Sequence, residues 1–321
     1  MAADGGPASP DVSVVIPSHR GGAPLRRALR TVLEQVYPGA IEAVVVFDAC
    51  EPTELGVDDL LGPTRVVTVL TNDRTRGPAG TRNRGVEASR GSWVAFLDDD
   101  DAWLAGKLTR QLAELERTGA GVATCGVRYV ADGRYRDQIP GVQADMQRAI
   151  VAGGTFVPLQ TMVVRREHLD RAGPFDEDMW VGEDTDLVLR LAGLTTFCGI
   201  GEPLIVMERG HTDRLSLDYE RHLEGFRRLA AKHHELFDRW PTGRGRRYWR
   251  LAGLALRSGD RPAAREWARR AVRLDPTSVK NVGMMAAAYL APRSVFDRAF
   301  DAYQTVGWKP IAADVDVGPL V

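Results

Sequence analysis

The chain has 321 residues, 44% of them apolar and 26% charged, and a net charge of −1. That is the composition of an ordinary globular protein with a sizeable core, and it offers no global electrostatic case for nucleic acid. Three scattered cysteines (Cys50, Cys125 and Cys198) argue against a disulfide framework or a zinc site and suit a reducing cytoplasm.

The leader MAADGGPASP lacks a basic segment followed by an apolar one, so residues 1–10 are expected to be disordered rather than a signal peptide. Asp11 to Pro17 is a β-branched apolar run stopped by proline, the pattern of a buried strand. Leu25, Ala28, Leu29, Val32 and Leu33 keep a helical period. Strands follow at Ile41–Phe47, Arg65–Leu70 and Ser92–Leu97, with helices at Ala79–Ser89 and Lys107–Arg117. Strands that are apolar throughout and alternate with helices indicate a mostly parallel sheet covered on both faces. Ligands of such sheets bind beyond the carboxyl ends of the strands. Three of those ends, Pro17-Ser18-His19-Arg20, Asp48 and Asp98-Asp99-Asp100-Asp101, are polar and should converge on one site.

Beyond Gly119 the pattern is mixed. A strand is expected at Val122–Val130, and Asp137–Gly154 is polar and irregular, a candidate acceptor loop or lid. Strands at Phe156–Arg165 and Leu204–Met207 and a helix at Asp184–Leu194 follow. From about Leu217 the chain is helical and basic, with cations outnumbering acids roughly two to one between Asp218 and Lys280. Gly259–Ser278 has the spacing of half a tetratricopeptide repeat, without a second copy. The expected division is a catalytic domain over 11–216 and a helical extension over 217–321. The basic helices could meet an anionic membrane surface, or be a solvated face laced with ion pairs.

Four adjacent carboxylates repel one another and raise each other's pKa values. A solvated turn that caps the next helix accounts for one or two of them. A hard divalent cation, Mg²⁺ or Mn²⁺, shared with a diphosphate accounts for the set.

The sequence resembles the family-two glycosyltransferases of the GT-A fold. The resemblance is carried, in order, by VSVVIPSHR (Val12–Arg20), RGPAGTRNRGVEASRGSWVAFLDDDDAW (Arg76–Trp103), KLTRQL (Lys107–Leu112), VVRREHLDRAGPFDED (Val163–Asp178) and GEDTDLVLRLA (Gly182–Ala192). It implies an α/β nucleotide-diphospho-sugar transferase fold, with a mostly parallel central sheet and a C-terminal helical extension. One D-x-D is a weak signal; five ordered blocks are a strong one.

Carried over residue by residue, the resemblance places Asp98 and Asp99 at the nucleotide, with Asp98 at its ribose or uracil side, and Asp100 on the metal. Pro17 and Ser18 would lie against the base, and Arg82 and Asn83 near the nucleotide. Asp101 would support the loop. The family's D-D-G-S is replaced here by FDACEP, which leaves Asp48 as the acceptor for a uracil N3–H. Asp184 would be the general base, with Glu183 holding the acceptor or orienting Asp184. Both are also what the first turn of any helix favours. His211 is placed against the metal or diphosphate, or is a surface histidine; Arg214 could pair with phosphate. Arg190 is expected as an ion-pair partner, and Trp180 as a sugar platform or packing residue.

The expected activity is metal-dependent transfer of one sugar from a nucleotide-diphosphate donor, a UDP-sugar, to an acceptor hydroxyl, with inversion. No Q-x-x-R-W follows the acidic pair, which disfavours a processive synthase. The acceptor class (glycan, lipid, peptide or natural product) is open. Two competitors are a sugar nucleotidyltransferase, which would need a glycine-rich phosphate loop after the first strand, and an inert domain serving as a binding module.

Overall fold

The computed structural model describes residues 10–208, 218–292, 294–298, 307–312 and 315–320. Its first half is built as the apolar runs require. Strands β1 (Val12–Ser18), β2 (Ile41–Phe47) and β3 (Arg65–Thr71) pair in parallel, and β1 also pairs in parallel with β4 (Trp93–Phe96). Helix α1 (Gly22–Leu33) buries Leu25, Ala28, Leu29, Val32 and Leu33, one face of its turns.

Helix α2 (Pro78–Ala88) is different, because it buries small and polar residues. Gly85 lets it lie directly on the sheet: a Cβ there would stand 2.4 Å from Val15 Cγ1. That close approach carries Arg82 and Asn83 into the interior, 6% exposed each.

Beyond β4 the sheet becomes mixed. Asp101 to Trp103 form a short strand, β5, and α3 spans Lys107–Thr118. Strand β6 (Val122–Ala131) pairs antiparallel with β7 (Arg134–Gln138) and β8 (Val163–Arg165) and in parallel with β9 (Phe197–Glu208), while β4 and β8 are antiparallel. Strand β5 lies antiparallel to β9. The last of the four aspartates is therefore not in a loose turn but in a ladder.

Two sequence expectations change here. Asp137–Gly154 is not a featureless lid: it holds the end of β7 and helix α4 (Met146–Val151), capped by Asp145. Met146, Ala149 and Val151 are buried on that helix, a face too short for periodicity to report. Of Phe156–Arg165, only β8 is strand; a 3-10 turn occupies Leu159–Thr161, whose Thr161 is fixed by Pro158 and Thr124.

Helices α5 (Arg166–Ala172) and α6 (Glu183–Ala192) cover one face. The extension supplies α7 (Tyr219–Lys232), α8 (His234–Arg239), α9 (Thr242–Ser258), α10 (Arg261–Leu274) and α11 (Val279–Leu290). These helices share one apolar cluster with Val151, Met179 and Leu189, so they are packed onto the first part of the chain. Not everything after 217 is helical. Strand β10 (Lys309–Pro310) pairs with β7, and Val317 packs near Leu104 and Val206, so the tail returns to the sheet.

Candidate active site

The three polar strand ends meet. At the end of β1, the Ser18 hydroxyl donates to Asp99 Oδ2, and His19 Nδ1 lies 2.9 Å from the carbonyl of Asp48, just past β2. Pro17 is half-buried beside them. Asp48 is 8% exposed, with Oδ1 accepting from Asn72 Nδ2 at 2.8 Å and Oδ2 from the Gly77 amide at 3.0 Å. Its carboxylate thus also anchors the loop that leads into α2.

The central element is Arg82. Its Nη1 donates to Glu183 Oε1 and its Nη2 to Asp98 Oδ1, both at 2.8 Å. One buried guanidinium therefore joins the D-x-D to the acidic pair 101 residues away from it. Burial opposes the charge on Arg82, but Asp98 and Glu183 outweigh it and hold the guanidinium above its ordinary range. Glu183 is buried in turn: burial and the charge of Asp184 push its carboxyl up to about 7, while Arg82 works against both. Sequence reasoning left Glu183 either on the acceptor or beside Asp184; its contact is with Arg82.

Asp184 is half-exposed at the start of α6, where Gly182 takes a left-handed conformation, φ 95°. Its Oδ1 accepts from the Thr185 amide and hydroxyl. Oδ2 makes no hydrogen bond among the described residues and has its lone pairs available for an acceptor proton.

The aspartates differ in setting. Asp98 is half-buried between Arg82 and Gln160 Nε2. Burial pushes the Asp99 carboxyl up to about 6; the Ser18 hydroxyl opposes this, and the charges of Asp100 and Asp98 add to it. Asp100 is exposed and Asp101 buried. Among the described residues no three His, Cys, Asp or Glu side chains gather into a cage for a cation. Hard carboxylate oxygens at one strand end instead fit Mg²⁺ or Mn²⁺ that takes one or two protein ligands and completes its shell with diphosphate and water. His211 and Arg214 lie outside the described residues.

Three further candidates have partners of their own. Asn83 turns toward Phe175, exchanging hydrogen bonds with its backbone, and donates to Glu177. Arg190 pairs with Asp186 and with the carbonyls of Ala172, Gly173 and Pro174. Trp180 is 37% exposed, flanks Gly77, and carries the Arg221 guanidinium 4.5 Å above its ring. Two contacts escaped the sequence reading: Gln160 on Asp98 and Asn72 on Asp48. No local pattern marks them, since each comes from a loop or helix remote in sequence.

Residues 13–171 match the model of Glycosyl transferase family 2. The chain belongs to that family. Similar relatives include the succinoglycan biosynthesis protein ExoO of Rhizobium meliloti, 34% identical over 39% of this chain and 36% of that protein. The pre-mycofactocin glycosyltransferase of Mycobacterium tuberculosis is 33% identical over 58% of this chain and 40% of its own. The amylovoran biosynthesis glycosyltransferase AmsB of Erwinia amylovora is 29% identical over 60% and 67%. The chain thus spans well under half the length of the first two. In fold, this family 2 chain is similar to S. aureus TarS 1-349, with TM-score 0.59 and 15% identity over 91% of this chain and 92% of that one. The mannosyltransferase PcManGT of Pyrobaculum calidifontis, solved with GDP-Man and Mn²⁺, gives 0.52 and 18% over 95% and 90%. The fold is GT-A. No helix among the described residues is long and apolar enough to cross a membrane.

Proposed function

We propose that this family 2 protein transfers one sugar from a nucleotide-diphosphate donor, a UDP-sugar, to an acceptor hydroxyl with inversion at the anomeric carbon. The observation that carries this reading is the Arg82 bridge, because one buried cation ties Asp98 of the D-x-D to Glu183, the neighbour of Asp184, and so supports a donor side and an acceptor side of one site.

Asp48 accepts a hydrogen bond from the base, and Asp98 and Asp99 hold the nucleoside side of the donor. Asp100 would hold the divalent metal, which, when bound, supplies Lewis-acid stabilisation of the departing diphosphate. Asp184 Oδ2 takes the proton of the acceptor hydroxyl. The hydroxyl oxygen forms the new bond to the anomeric carbon as the bond to the diphosphate oxygen breaks on the opposite face. Glu183 does not touch the substrate; through Arg82 it keeps Asp98 aligned with the turn that carries Asp184.

The reading is supported by the family match and by two of the relatives, the pre-mycofactocin glycosyltransferase and the amylovoran biosynthesis glycosyltransferase. A solved relative in fold, S. aureus TarS 1-349, is described in complex with UDP-GlcNAc. The test is a panel of nucleotide sugars incubated with Mn²⁺ or with chelator in the absence of acceptor. Slow release of UDP from one donor, dependent on the metal, is expected. Absence of both binding and hydrolysis across the panel would reject the reading.

A further inference from the structure

KLTRQL, at the start of α3, turns two polar side chains into the core. Lys107 and Gln111 lie one turn apart on the same face, and both are wholly buried. Lys107 Nζ stands 4.0 Å from the centre of the Trp103 ring and makes no hydrogen bond among the described residues. The titratable group that faces it there is the Cys125 thiol of β6. Gln111 Oε1 and Trp103 Nε1 are likewise buried without a hydrogen-bond partner among the described residues. The other end of the Gln111 amide is engaged: its Nε2 donates to the Thr161 carbonyl at 2.8 Å.

Both side chains reach the flanks of the four aspartates. Trp103 ends β5, whose first residue is Asp101, and the Asp101 amide donates to the Asp98 carbonyl at 3.2 Å, which closes the turn. Thr161 ends the 3-10 turn whose Gln160 Nε2 donates to Asp98 Oδ2. Helix α3 thus grips the segment from two sides, by a cation over a ring at Trp103 and by an amide at Thr161. An ammonium kept from water without an anion costs free energy, and so do polar atoms left unmet. Stability by itself favours an apolar side chain of the same length in that place. The compensating contact is the cation over a desolvated indole, which fixes where the ring, and with it β5, stands. Burial pushes the Lys107 ammonium down to about 8, with Cys125 opposing, and pushes the Cys125 thiol up to about 11.

We propose that Lys107 is a positioning residue for the donor side: by holding Trp103, its ammonium fixes the Asp98–Asp101 turn so that Asp98 and Asp100 are aimed to bind nucleotide diphosphate and metal. This rests on the glycosyl-transfer reading above. Gln111 is the second tie, through Thr161 and Gln160 to Asp98. Lys107 itself touches none of the four aspartates and acts through the ring it holds.

The test compares the full chain with Lys107→Met and Trp103→Phe, by calorimetry with UDP in Mg²⁺ and in chelator and by urea unfolding. Lys107→Met keeps the length of the stem and removes the charge. Its urea midpoint should stay level or rise, while the gain in UDP affinity on adding Mg²⁺ should shrink by about tenfold. Trp103→Phe keeps a ring with a weaker hold on a cation; its gain should shrink less, and it guards against a methionine variant that fails to fold. A pH profile separates positioning from packing. In the wild type the Mg²⁺ gain should decline as pH rises from about 7 to about 9, because the ammonium gives up its proton and with it the cation over the ring; the Cys125 thiol stays protonated through that range. In Lys107→Met the gain should not follow that decline. A Mg²⁺ gain that persists in full in Lys107→Met would overturn the proposal. So would a gain lost in step with the urea midpoint, which is what packing alone produces, or the same pH profile in wild type and Lys107→Met. Wild-type UDP binding that ignores Mg²⁺ would fault the reading of the D-x-D itself, and the proposal would fall with it.

Discussion

Arg82 Nη1 sits 2.8 Å from Glu183 Oε1, and this pair is closed off from solvent on both sides, with side chains 7% and 9% exposed. The contact joins α2 to the first turn of α6. Because the other arm of Arg82 holds Asp98, loss of the guanidinium would leave two carboxylates stranded. Removing one partner from a buried pair costs about 3–5 kcal/mol. Arg82→Ala should therefore lower the free energy of unfolding by that much, read as a lower urea midpoint at unchanged slope, and Arg82→Lys should recover only part, since an ammonium cannot span both acids as a fork. A midpoint within experimental error of the wild type would show that the bridge carries no weight.

Asp184→Asn keeps the shape of the turn and its bonds to Thr185 but removes the proton acceptor. Transfer should fall by roughly 10²–10⁴-fold while donor affinity stays level. The anomeric coupling constant of the product, read by NMR, should be that of the inverted linkage. Retention of configuration would mean that a different carboxylate and a different reaction course operate.

Asp100→Ala should remove the metal dependence of UDP binding. Calorimetry with Mn²⁺ and with chelator is the measurement; for the wild type the two isotherms should differ, and for the variant they should coincide. A wild-type chain indifferent to chelator would refute the metal assignment.

Asp48→Ala removes the acceptor proposed for the base and also the anchor of Asn72 and Gly77. A site built to hydrogen-bond loses roughly 1–3 kcal/mol when a partner is deleted. UDP should weaken far more than pyrophosphate. Asn72→Ala separates the two roles: it loosens the loop while leaving the carboxylate, so its effect on UDP should be the smaller one.

Asp186 is buried under α7 and α8, where it pairs with Arg190, Lys232 and His233. Burial raises its carboxyl, but hydrogen bonds from His233, Arg190 and Lys232 outweigh burial and hold it well below the usual carboxylate range. The folded value is depressed, so the stabilisation is present above the unfolded value of about 3.9 and is lost as pH falls below it. Asp186→Asn should lower the melting temperature at pH 7, and the gap from wild type should narrow between about pH 5 and pH 3. A gap that stays constant through that range would show that the cluster is not what fastens the extension.

The apolar, β-branched runs determined β1 to β4 almost to the residue; β1, β2 and β4 are buried on both faces and so advertise themselves locally, while the edge strand β3 keeps its β-branched run with partly exposed faces. The strand-end polar residues were likewise expected to converge, and the ends of β1, β2 and β4 do meet, since parallel strands bring their carboxyl ends to one edge of the sheet. Side-chain partnerships were another matter. Arg82 with Glu183 and Gln160 with Asp98 join segments 101 and 62 residues apart, and no periodicity reports such distances. The same holds for α4, whose buried face is two turns long, and for β10, two residues that become a strand because β7 offers them an edge. Local pattern records which residues leave water. Which of them then meet depends on the path of the whole chain, and here that path gave an arginine expected near the nucleotide two carboxylate partners, Asp98 and Glu183, on separate elements.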